Sequence, residues 1–92
     1  RVAFGSLLTA VADAFGVTPR TIVAPGRQRA PGPARALLVH VAREWGQLTT
    51  HELGRRLQRD PSMISRLAAA YAASRDARAE AQVRQALWPR TS

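Results

Sequence analysis

The chain contains no cysteine and no lysine. Without thiols there are no disulfides and no thiolate zinc sites, a usage that fits a reducing compartment. No apolar run approaches the ~20 residues a bilayer-spanning helix needs, and no signal-peptide pattern opens the sequence. A soluble, cytoplasmic protein is the expectation. Carboxylates are scarce, with six Asp and Glu in 92 residues. They are scattered, the two histidines have no paired ligand spacing, and no glycine-rich phosphate loop precedes a helix. No metal, cofactor, catalytic residue or small-molecule substrate can therefore be assigned. A chain of this length buries one modest core, which makes an autonomous enzyme unexpected. It starts at Arg1 rather than Met and runs at once into helix-like sequence, so it reads as a single domain, residues 1–92, cut from the C-terminal end of a longer protein.

What the chain has in quantity is arginine. All fourteen cations are arginines and the formal net charge is +8, the balance of a surface that attracts a polyanion, nucleic acid first. A GC-rich genome also enriches arginine and alanine, but composition alone would spread them evenly. Here Arg27, Arg29 and Arg35 gather in one loop region, and Arg55, Arg56, Arg59 and Arg66 surround one turn.

Apolar spacing predicts an all-α bundle of five or six helices with no strand. Phe4, Leu7, Leu8, Val11, Ala12 and Phe15 mark a first helix over 3–15, stopped by Gly16. Thr18-Pro19 is an N-cap and first-turn pair for a short helix carrying Ile22 and Val23. Residues 24–33 hold three prolines, two glycines and two arginines, a basic loop. Leu37, Leu38, Val41, Ala42 and Trp45 form the stripe of a central helix from Pro33 or Ala34 to Trp45, ended by Gly46, with His40 on its flank as a packed or surface residue. A closing helix from about Asp76 to Leu87 carries Val83 and Leu87 inward and ends at Trp88-Pro89.

The segment from Leu48 to Leu67 is the most informative. Thr49 and Glu52 form a capping box for a helix over 50–57. Asp60 then caps a second helix whose first turn holds Pro61. Ile64, Leu67, Ala68 and Tyr71 share one side of it, leaving Ser62, Met63, Ser65, Arg66 and Ala69 elsewhere. Gly54 stands where two short helices joined by a tight turn need a small residue. This is the pattern of a helix-turn-helix that reads a DNA major groove. Its helix N-terminus would offer N–H groups to phosphate. Ser62 and Arg66 would hydrogen-bond base edges and Met63 would pack on a thymine methyl, with Ser65 in the same groove. Arg27 and Arg29 suit a narrow minor groove, and Thr49, Thr50 and Arg59 are assigned to phosphates. Two rival readings are a helical protein-interaction module with an exposed apolar patch about Met63 and Trp88, and an RNA binder, which would ordinarily display several exposed aromatics.

The order of short helix, basic loop, core helix, capped helix pair and closing helix resembles the C-terminal DNA-binding domain of DnaA, the bacterial chromosomal replication initiator, a Trp repressor-like fold, across residues 5–88. The resemblance rests on Val11-Ala12, Phe15-Gly16-Val17, Arg27-Gln28-Arg29, Arg35, Ala42-Arg43-Glu44, Glu52-Leu53-Gly54 and Arg59-Asp60. It implies that Arg27 enters the minor groove, that Arg35 holds phosphate, and that Asp60, Pro61, Ser62 and Met63 read the major groove of double-stranded DNA in the nucleoid. The initiator typically carries Gly-Gly-Arg-Asp-His-Thr-Thr at the turn. Gln58-Arg59-Asp60-Pro61-Ser62-Met63 is one residue shorter and lacks the histidine and both threonines, which argues against the initiator's own target. The form Leu53-Gly54-Arg55-Arg56-Leu57 leading to Arg59-Asp60-Pro61-Ser62 and Ile64-Ser65-Arg66 is similar to the DnaA-like domain of bacterial REP-associated tyrosine transposases. In such a parent the catalytic tyrosine would lie before Arg1, and Tyr71 would be core.

Overall fold

Among the described residues the regular structure is six helices: α1 (Phe4–Phe15), α2 (Pro19–Val23), α3 (Gly32–Glu44), α4 (Thr50–Leu57), α5 (Pro61–Ala73) and α6 (Ala77–Leu87). The computed structural model describes residues 2–24 and 32–89, and among these there is no strand. The molecule is an all-α bundle. Residues 25–31, with Arg27 and Arg29, lie outside the described residues.

α3 is the central element. Leu37, Leu38, Val39 and Val41 are fully buried, and α3 packs against α1 on one side and α5 on the other, while α6 closes over α1. The core joins Leu7 and Val11 of α1, Ile22 of α2, Leu53 and Leu57 of α4, Ile64 of α5 and Val83 of α6. No helix is long and apolar enough to cross a membrane among the described residues.

Most helix ends follow local chemistry. Gly16 takes the left-handed conformation at φ 66°, and its N–H returns to Ala12 and Asp13 carbonyls. Thr18 accepts from the Thr21 N–H at 3.2 Å ahead of Pro19. Asp76 accepts from the Ala79 N–H at 3.0 Å to open α6.

Two boundaries differ from the sequence expectation. α3 begins at Gly32, so Pro33, expected at the edge of the loop, lies in the helix's first turn, where its missing N–H is no loss. At the other end Gly46 is not the left-handed residue; Gln47 is, at φ 56°. Gly46 is required by space instead. A Cβ there would lie 2.8 Å from the Ala42 carbonyl oxygen and 3.0 Å from Leu7 Cδ1.

Candidate nucleic-acid interface

The α4–α5 pair is built by nested caps. The Thr49 N–H donates to Glu52 Oε1 at 2.9 Å and the Glu52 N–H to Thr49 Oγ1 at 3.1 Å, the complete capping box. α4 ends at Gln58, left-handed at φ 54°. The chain then turns back so tightly that the Arg59 N–H donates to the Gly54 carbonyl at 2.9 Å. A Cβ on Gly54 would sit 2.8 Å from the Arg59 carbonyl oxygen and 3.6 Å from Pro61 N. The small residue is thus needed by the backbone of the turn itself.

Asp60 opens α5. Its Oδ1 accepts from the Ser62 N–H at 2.9 Å and from Ser62 Oγ at 2.8 Å. These bonds hold the Asp60 carboxyl below its ordinary range, with Arg66 adding in the same direction. The cap corrects two expectations. Pro61 has no N–H, the Ser62 N–H goes to the carboxylate and the Met63 N–H donates to the Asp60 carbonyl at 2.9 Å, so the first turn of α5 has no donor left for phosphate. The Ser62 hydroxyl hydrogen is also committed, which leaves Ser62 an acceptor toward a ligand. Backbone donors are available instead at α4, where the N–H groups of Thr50 and His51 have no acceptor among the described residues.

The two faces of α5 divide as the spacing predicts. Ile64 and Tyr71 are buried with Leu67 and Ala68 partly so, whereas Asp60, Ser62, Met63, Ser65, Arg66 and Ala69 are exposed and Pro61 is half-buried. Thr49 is exposed and Thr50 half-buried. Between the helices runs an open cleft of about 540 Å³ lined by Thr49, His51, Arg55, Arg59 and Pro61, together with Glu52 and Gly54. His51 and Arg55 were absent from the sequence-based assignment. Their spacing of four on a capped helix was the available signal, since it places both on one face.

Two arginines expected at phosphates have other roles. Arg35 is 7% exposed; its Nε donates to the Ile22 carbonyl at 2.9 Å and an Nη to the Thr21 carbonyl at 3.4 Å. It ties α3 to the end of α2, and burial followed by repulsion from Arg59 lowers its pKa from the ordinary value. Arg59 is half-buried and donates to the carbonyls of Leu57 at 2.9 Å, Gln58 at 3.3 Å and Ala24 at 3.2 Å. The last bond fastens Ala24 to the turn in front of α5. A planar guanidinium with five donors suits such carbonyl-rich crevices.

On the far side of α5, Tyr71 donates to Glu80 and stacks at 4.9 Å on His40. Glu80 is buried and pairs with Arg75 at 2.8 Å. The bonds from Arg75, against the opposing effect of burial, hold the Glu80 carboxyl down to about 2. Burial and the Glu80 bond push the Tyr71 hydroxyl up to about 12. Tyr71 is a core residue. Among the described residues no group of three His, Cys, Asp or Glu is placed to hold a metal ion. Comparison of the chain with protein-family models and with curated proteins gives no match.

Proposed function

We propose that this domain reads double-stranded DNA, with the N-terminal half of α5 in the major groove and the Arg27–Arg29 segment in the adjacent minor groove. The observation that carries this reading is the exposed α5 face. Met63, Ser65 and Arg66 project from a helix whose opposite side is locked into the core, beside a cleft flanked by Arg55 and by the N–H groups of Thr50 and His51, which have no acceptor among the described residues. Arg66 supplies a forked donor for guanine and Met63 an apolar contact for a thymine methyl. Asp60 is a poor neighbour for phosphate and a suitable acceptor for an exocyclic amine. Backbone phosphate falls to Thr49, Thr50, His51 and Arg55, because a helix N-terminus with free N–H groups and a nearby cation attracts an anion. Arg35 and Arg59 support the scaffold. The module would target a transposase-like or replication-initiator-like parent to its site.

A protein-docking reading draws on Met63 and Trp88, the exposed large apolar residues at 40% and 51%. They stand on separate elements, Met63 on α5 and Trp88 at the C-cap of α6, whereas a protein-docking face is marked by a contiguous apolar patch.

The test is selection of bound duplexes from a random pool, followed by titration of the selected site against salt. Selection should converge on one motif, and log affinity should fall against log salt by about 0.9 per phosphate contact. Arg66→Ala should lower affinity for the selected site by about 1–3 kcal/mol and relax preference at one position. A pool that stays random, or an affinity indifferent to salt, refutes the reading.

A further inference from the structure

The outer face of α6 lies apart from the α4–α5 cleft and is unused by the duplex reading. Residues at spacings of three and four, Arg78, Ala81, Gln82 and Gln85, continue to Trp88, and all are exposed. The one carboxylate within α6, Glu80, is buried and bound to Arg75 and Tyr71. The exposed side of the helix is therefore cationic and amide-bearing with no acid among its residues.

Trp88 is held in place. Its backbone N–H donates to the Arg84 carbonyl at 2.8 Å. Its ring meets Trp45 at 5.4 Å with the planes 73° apart, so the indoles are not stacked face to face, and half of Trp88 stays in solvent. The Arg84 guanidinium lies 5.4 Å from the centre of the Trp45 ring. Ala81, Arg84, Gln85 and Trp88 line an open cleft of about 380 Å³. An aromatic ring fixed beside guanidinium groups, on a surface that tracks a polyanion, is how proteins hold unpaired bases.

We propose that this face binds single-stranded nucleic acid, with one unpaired base stacked on Trp88 and strand phosphates on Arg78 and Arg84. A protein partner would need a contiguous apolar patch. The cleft offers one large apolar residue, and its other lining is alanine, amide and guanidinium. The cationic, acid-free stripe complements a phosphate strand. Gln82 and Gln85 carry both donors and acceptors, which suits base edges of any kind.

The 92-residue chain is titrated with oligothymidylate and with oligouridylate about twelve nucleotides long, a length within the range of single-strand sites. Anisotropy of the labelled strand and tryptophan emission are both read. At least one of the two strands should bind and quench emission, and which one binds distinguishes DNA from RNA as the source. Trp88→Ala should weaken binding by roughly 5- to 100-fold, the range reported by removing one stacking platform, while Trp88→Phe keeps most of the affinity. Arg78→Gln, at an exposed side chain whose loss does not threaten the fold, should reduce the salt slope by about 0.7. A saturating duplex should leave the single strand bound. Binding of neither strand, an unchanged affinity in a folded Trp88→Ala variant, or displacement of the strand by duplex overturns the proposal. The direct titrations and their Trp88 and Arg78 variants are read whether or not the duplex reading holds.

Discussion

Gly54 sets the angle at which α5 leaves the turn, because the carbonyl of Arg59 occupies the place where any other residue would carry its Cβ. Alanine there gains up to about 1 kcal/mol in helix preference but must push aside backbone, which does not yield as a side-chain tip does. Gly54→Ala should therefore cost a net of about 1–2 kcal/mol in a denaturant titration, and weaken duplex binding beyond what the lost stability explains. Arg35 makes the second argument at this scale. Removing it leaves the Ile22 and Thr21 carbonyls without their donor, a loss of about 1–3 kcal/mol for bonds to a charged group. Arg35→Met should lower stability by that amount and leave the salt slope of DNA binding unchanged. A slope smaller by about 0.9 would instead place a phosphate on Arg35. Arg35→Lys should recover little, since a point-like ammonium cannot reproduce the fork.

At the scale of elements, the caps are where local chemistry and structure agree. Thr18, Thr49, Asp60 and Asp76 each satisfy an N–H two or three residues ahead, and every one could be read from neighbouring residue types. Of the ends that misled, Gly46-Gln47 depends in part on what approaches from elsewhere. Gly46 is small because the Ala42 carbonyl at its own helix end, together with Leu7 and Val2 of the first segment, crowds it, and Gln47 takes the strained conformation in its stead. The junction of α5 and α6 carries a pH dependence. Glu80 lies at about 2 when folded against an ordinary 4.5. A depressed carboxylate contributes stability that is complete above its unfolded value and is lost as pH falls through its folded value. Thermal midpoints should therefore decline between about pH 4.5 and pH 2, and Glu80→Gln should flatten that decline. Tyr71, raised to about 12, gives the opposite limb, with stability lost above pH 10.

For the whole molecule the governing fact is the formal charge of +8. Arg75–Glu80 is an ion pair of the described residues, but the net charge leaves the guanidiniums on balance repelling one another across the surface. Screening lengths fall from about 30 Å at 0.01 M salt to about 8 Å at 0.15 M. Melting temperature should rise over that interval while affinity for DNA falls, two opposite responses of one charge distribution measured in the same buffers. A melting temperature indifferent to salt would show that the repulsion is already offset locally.

The amino-acid sequence by itself determined the all-α class, most of the residues that cap the helices, the apolar stripe of α5 and the sign of the surface. Those properties follow from intervals of two to four residues, across which helix geometry leaves little choice. Tertiary structure alone decided which arginines serve the scaffold and which meet solvent. Arg35 finds its acceptors 13 and 14 residues away and Arg59 finds one 35 away, and only the folded chain brings such carbonyls within reach of a guanidinium.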